Sequence, residues 1–236
     1  MNYKIIKNNR FFYSLTMVIV VVTSIVTLFQ FAHPNVLNML RRDPEALASG
    51  EWWRMITPLL VHADGWGQYI FNVACIAIIG SEVERLYGRV HLLVLYLSGG
   101  LIGGVAGYAW EPYGAGASVG FCGLLGGFYL ILISGRKISN PFFAMLSLYI
   151  VVGLIGFASG KVNVFIGLSV TVAVLVPIIM KQKDSERLLG IISGLGGFIG
   201  ALTLLVMHDI HGAAILGGVF TVVILFCIQR IHNSIA

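Results

Sequence analysis

Ser118 stands in the stretch Gly114-Ala115-Gly116-Ala117-Ser118-Val119-Gly120-Phe121-Cys122-Gly123, a lone hydroxyl among small and apolar residues. A serine hydroxyl is a weak nucleophile until a base accepts its proton. Among the six histidines, His211 has the most suggestive surroundings, because Ala214 and Gly218 follow it at +3 and +7 on one helical face. Ser118 in turn heads a run containing Gly120, Gly123 and Gly127. Interior glycines cost a helix about 1 kcal/mol each relative to alanine. They are explained here by close approach, since small residues let two membrane helices pack backbone to backbone. Two such helices, one topped by a serine and one by a histidine, would bring Oγ and imidazole within hydrogen-bond range. Gln68 and Asn72, four residues apart, place two amides on one face of a third segment. His62 reads as a structural hydrogen-bonder of a loop, and His208 with its neighbour Asp209 as an interfacial pair or a group supporting the site. His33, His91 and His232 read as membrane-edge residues.

The elements that must position these groups follow from composition. The 236 residues are 58% hydrophobic and 11% charged, with a mean hydropathy of +0.91. Soluble domains carry about 25% charged residues, and several runs here are apolar over the length a bilayer core demands. Apolar helices are expected at about 11–33, 66–84, 90–110, 116–134, 141–159, 161–180, 187–207 and 211–230, eight in all. With the N-terminus inside, only Arg41, Arg42, Arg54 and Lys161 of the 15 basic residues fall outside, as positive-inside placement requires. Lys4, Lys7 and Arg10 precede the first span, and Lys137 sits in an inner loop. The net charge of +5 is thereby topological and needs no nucleic acid. The chain reads as a single all-α membrane domain over 1–236, with an outer loop at 33–65. A cleaved signal peptide is not expected, and the short basic N-terminus suits a bacterial plasma membrane.

No CxxC, HExxH or GxxxxGK[ST] pattern occurs, so zinc-protease and P-loop chemistry lack support and no metal or cofactor is expected. Cys75, Cys122 and Cys227 read as small residues within the membrane. A transporter would place charges near the midplane in paired halves, and neither feature is visible.

The block Gly50-Glu51-Trp52-Trp53-Arg54-Met55-Ile56-Thr57-Pro58-Leu59-Leu60-Val61-His62 resembles the outer-loop segment of the rhomboid intramembrane serine proteases. The likeness continues through Phe71-Asn72, Glu84-Arg85-Leu86-Tyr87-Gly88 and Gly116-Ala117-Ser118, the last similar to the family's GxSG motif. The resemblance implies a six-helix core plus two additional spans, and a serine–histidine dyad without a third carboxylate. Ser118 would be the nucleophile and His211 its base, with the Ser118 N–H and the Asn72 side chain holding the oxyanion. It further implies transmembrane segments of other proteins as substrates, the lipid bilayer as surroundings, and an active site near the outer face. A catalytically inactive relative that binds transmembrane clients is the alternative.

Four departures stand out. Val119 replaces the last glycine of GxSG, and Gln68 occupies the usual histidine position, from which it can still donate an N–H. His211 lies 93 residues beyond Ser118, room for three intervening helices instead of one. Ala214 takes the place of the first glycine after the histidine. Registers that restore a glycine there put Ala214 or Ile215 in the base position, and neither accepts a proton.

Overall fold

The computed structural model describes residues 14–136 and 138–235, the side chains of Gln229 and 231–235 excepted. Lys4, Lys7, Arg10, the expected first residues of span one and Lys137 lie outside the described residues, as does the side chain of His232. Every regular element among the described residues is helical.

Helix α1 (Leu15–Ala32) is followed by short helices α2 (Asn35–Leu40) and α3 (Pro44–Ala48) and two 3₁₀ turns at Trp52–Met55 and Thr57–Leu60. The next helical stretch is α4 (Gly65–Cys75), a π-turn (Ile76–Gly80) and α5 (Ser81–Tyr87) in succession. Then come α6 (Arg89–Trp110), α7 (Ser118–Ile133), α8 (Pro141–Ser159), α9 (Val162–Met180), α10 (Ser185–Val206) and α11 (Ile210–Ile235). Six helices, α1, α6 and α8 to α11, are long and apolar enough to cross a membrane; α7 is apolar but shorter, at 16 residues. Together with the interrupted α4–α5 stretch they occupy the eight apolar runs of the sequence.

Helix α7 is apolar all round and, from Ser118 to Tyr129, buried all round, as an axial helix must be. Helices α6, α10 and α11 pack directly on it, and α8 packs on α10. Helix α9 touches chiefly α8 and leaves most of its surface outward. Helices α9 and α10 thus differ in kind: α10 is wedged into the bundle and α9 hangs on its edge.

Glycines set the approach of the central helices, on faces the sequence does not reveal. Gly120, Gly123 and Gly127 turn their missing side chains toward α6, where Tyr96, Gly99 and Leu95 occupy the space a Cβ would need. Helix α11 is admitted instead by Gly126, whose Cβ would overlap the Ile215 carbonyl, and by Gly218, whose Cβ would overlap the Gly123 backbone. Val119, the bulky departure beside Ser118, is buried and turned toward Gly103 of α6, whose missing side chain accommodates it. The same gap receives Ala214.

Helix α1 carries its polar residues inward. Thr16, Thr23, Thr27 and Gln30 are buried, while Val18, Val21, Val22, Ile25, Leu28 and Phe29 are exposed. This inversion suits a helix surrounded by lipid, where apolar groups belong outside and hydrogen-bonding groups must find protein partners. Glu84 of α5 accepts from the backbone N–H of Leu15 and Thr16 and from Thr16 Oγ1. At the other end, Gln30 spans the His62 backbone, donating to its carbonyl and accepting its N–H.

Candidate active site

The segment leading into α7 is fastened residue by residue. Gly114 O accepts the Arg42 N–H at 3.1 Å, Ala115 O accepts Gln68 Nε2 at 3.0 Å, and Gly116 N–H donates to Pro58 O at 2.9 Å. Arg42 itself is buried, with Nε on the Glu111 carbonyl, in space left by Gly107. Gly116 leaves room for the Gln68 amide: a Cβ would lie 2.7 Å from Gln68 Nε2 and displace it. Ser118 therefore emerges from a backbone fixed on three sides and begins α7, where a helix cannot pair its own first N–H groups.

On α11, the His211 ring projects from the first turn. Its Nε2 lies 2.9 Å from Ser118 Oγ, across 93 residues of sequence. Asp209 Oδ1 lies 2.7 Å from His211 Nδ1 and also accepts the His211 backbone N–H at 2.9 Å. Asp209 is buried in the turn between α10 and α11. Burial alone would push its carboxyl upward, but the hydrogen bonds from the His211 ring and backbone outweigh that and hold it below the ordinary value. An ionised carboxylate only accepts, so Nδ1 carries the ring proton and Nε2 presents its lone pair to the Ser118 hydroxyl.

Asn72 is buried, and its Nδ2 has no hydrogen-bond partner among the described residues. It lines, with Ser118 and His211, a cavity of about 680 Å³ whose opposite wall is Gly153, Leu154 and Phe157 of α8. An amide donor held without a partner beside an activated serine suits a developing oxyanion. Gln68 shares the face with Asn72, but both ends of its amide are engaged, Oε1 by the Asp64 N–H and Nε2 by Ala115 O. It braces the backbone that leads to Ser118.

The other histidines fall elsewhere. His208, in left-handed backbone conformation at φ 56°, caps the end of α10 and sets its ring edge-on to Trp110 at 5.4 Å. His62 is fully buried beside α1, with Nδ1 2.9 Å from Thr27 Oγ1, which in turn donates to Leu60 O. Because Thr27 has one hydroxyl proton, His62 Nδ1 is the donor and its Nε2 is a buried acceptor without a partner. Cys75 and Cys122 are buried, whereas Cys227 lies on the outer surface of α11.

Burial pushes the His62 ring down from 6.5 to about 4. An unfolded chain takes up this proton as pH falls through about 6.5, and the folded chain does so only near 4. The corresponding stability is complete above pH 6.5 and is lost between about 6.5 and 4, up to about 3 kcal/mol. Melting curves over that interval should show a decline that largely disappears in His62→Asn, whose amide can still donate to Thr27. Parallel declines in both proteins would remove His62 as the cause.

The described residues thus form an all-helical bundle that holds a buried serine, a histidine on its hydroxyl and a nearby amide donor. The Rhomboid domain family model matches residues 49–180, and the chain belongs to the rhomboid family. It is 37% identical over 97 residues to Rhomboid protease GluP of Bacillus subtilis, covering 41% of this chain and 19% of that protein. Rhomboid protease GlpG of Haemophilus influenzae is 30% identical over 120 residues, 50% of this chain and 59% of that one. Mouse Rhomboid-related protein 2 is 29% identical over 104 residues, 43% and 34% of the respective lengths. The chain thus spans less than two thirds of each of these relatives. The matched family region ends before α10 and α11, so the position of His211 rests on the geometry alone.

Proposed function

We propose that the protein is an intramembrane serine protease that cuts transmembrane segments of other membrane proteins. The observation that carries this reading is the 2.9 Å contact between Ser118 Oγ and His211 Nε2 at the wall of the cavity. Ser118 Oγ attacks the scissile carbonyl as its proton passes to Nε2. The C–N bond then breaks, Nε2 returns that proton to the leaving amine, and an acyl-enzyme remains on Ser118. A water deprotonated by the same nitrogen releases the acid and restores the serine. The Ser118 N–H and Asn72 Nδ2 hold the oxyanion of both tetrahedral intermediates.

Phe71 of α4 and Phe157 of α8, both exposed apolar residues, line the cavity. A substrate helix arriving from the bilayer would meet apolar groups first and must unwind before its backbone reaches Ser118. Residues of low helix propensity near the cleavage point lower the cost of that step. With the N-terminus in the cytoplasm, the site lies toward the outer face of what we take to be a bacterial plasma membrane.

The test is reaction of the detergent-solubilised protein with a fluorophosphonate, which modifies base-activated serines. Wild type should label and Ser118→Ala should not. A folded wild type that fails to label would make the protein an inactive member that binds transmembrane clients.

A further inference from the structure

The contact behind His211 goes beyond a two-residue mechanism. We propose that Asp209 is the third member of the catalytic unit, a positioning residue that fixes the His211 ring and stabilises its charged form when the Ser118 proton is taken up. This rests on the protease reading above.

Three observations carry it. Asp209 Oδ1 is 2.7 Å from Nδ1, on the side of the ring opposite Ser118. The carboxylate is buried, so water contributes little to screening its field. It is also held from its own side: the same oxygen accepts the His211 N–H, and Gly212 N–H donates to the Asp209 carbonyl, so the side chain sits at the start of α11 in a fixed pose. The short link from α10 makes this possible. His208 takes the left-handed conformation that ends α10, its N–H bonds Leu205 O, and the Asp209 N–H bonds Leu204 O. Gly212 lets the first turn of α11 close against α10, since a Cβ there would overlap the Leu205 backbone. Helix α10 therefore delivers a carboxylate to the histidine it precedes.

Because Asp209 also caps α11, the test must separate charge from capping. Asparagine caps a helix as well as aspartate does, and its carbonyl oxygen can still accept both His211 hydrogens. We expect Asp209→Asn to keep the wild-type melting temperature and fluorophosphonate affinity, while the inactivation rate constant falls on the order of 10²-fold or more, as loss of a triad carboxylate does elsewhere. Asp209→Ala should lose rate and melting temperature together, and Asp209→Glu should recover part of the rate lost in Asp209→Asn. An Asp209→Asn variant that labels as fast as wild type would overturn the proposal and leave a cap only.

A second measurement decides the matter even if wild type does not label. In protein labelled with ¹⁵N-histidine, the His211 signals should report a proton held on Nδ1, and Asp209→Ala should disperse it between the two nitrogens. An unchanged ring in Asp209→Ala would equally overturn the proposal, whereas a wild type that holds the ring but does not label would count against the protease reading alone.

Discussion

Ser118→Ala and His211→Ala should each lower cleavage of a transmembrane reporter in proteoliposomes on the order of 10⁶-fold, with the double variant no worse than either. Residues that act as one unit lose their whole effect when any member goes, and serine–histidine pairs elsewhere show this non-additivity. The geometry gives the reason here. Among the described residues Ser118 Oγ makes no hydrogen bond besides that to His211 Nε2, so without the imidazole none of them accepts its proton, and without the hydroxyl the base has nothing to activate. A His211→Ala variant retaining about a hundredth of the wild-type rate would mean that another base serves. A double variant far below both single ones would mean that the two act separately.

Asn72→Ala is expected to reduce the rate of the same reaction by about 10²–10³-fold, the usual effect of removing one oxyanion donor. Its signature is the opposite behaviour of stability. Asn72 Nδ2 is buried without a partner among the described residues, and such a donor costs the folded state about 1–3 kcal/mol. Removing it should leave the melting temperature unchanged or raise it slightly, set against the small cavity left behind. A variant that loses several degrees but cleaves normally would make Asn72 a packing residue.

What could be read from the sequence tracks how local each signal is. The apolar runs predict the helices closely: 141–159 and 161–180 become Pro141–Ser159 and Val162–Met180, because bilayer length and charge punctuation are properties of the chain itself. Ser118, His211 and Asn72 were legible because the family motif and small-residue spacing marked them, and the structure brings all three to one cavity. The facing of α7 was not legible. A helix apolar on every side has no polar stripe to orient it, so which glycine meets which neighbour is decided by the packed bundle. The partner of Gln68 was not legible for a related reason: nothing in the sequence shows that the backbone of Ala115 is laid against this amide. Asp209 had a usable sign, an acidic residue just before a helix start, the ordinary N-cap position. Reading it as a cap would have put its carboxylate at the His211 N–H, one step from the ring.

The two ends of α1 have a consequence for how the protein meets its membrane. Glu84 grips the helix at Leu15 and Thr16, while Thr27 and Gln30 grip the loop that begins α4. Fourteen residues separate Thr16 from Gln30, about 21 Å of helix at 1.5 Å per residue. A single span normally answers a thicker or thinner bilayer by tilting on its own. Here α1 is fastened at one end to α5 and at the other to the loop that leads into α4. Since α4 carries Asn72, any tilt of α1 that its two fastenings transmit would carry Asn72 with it.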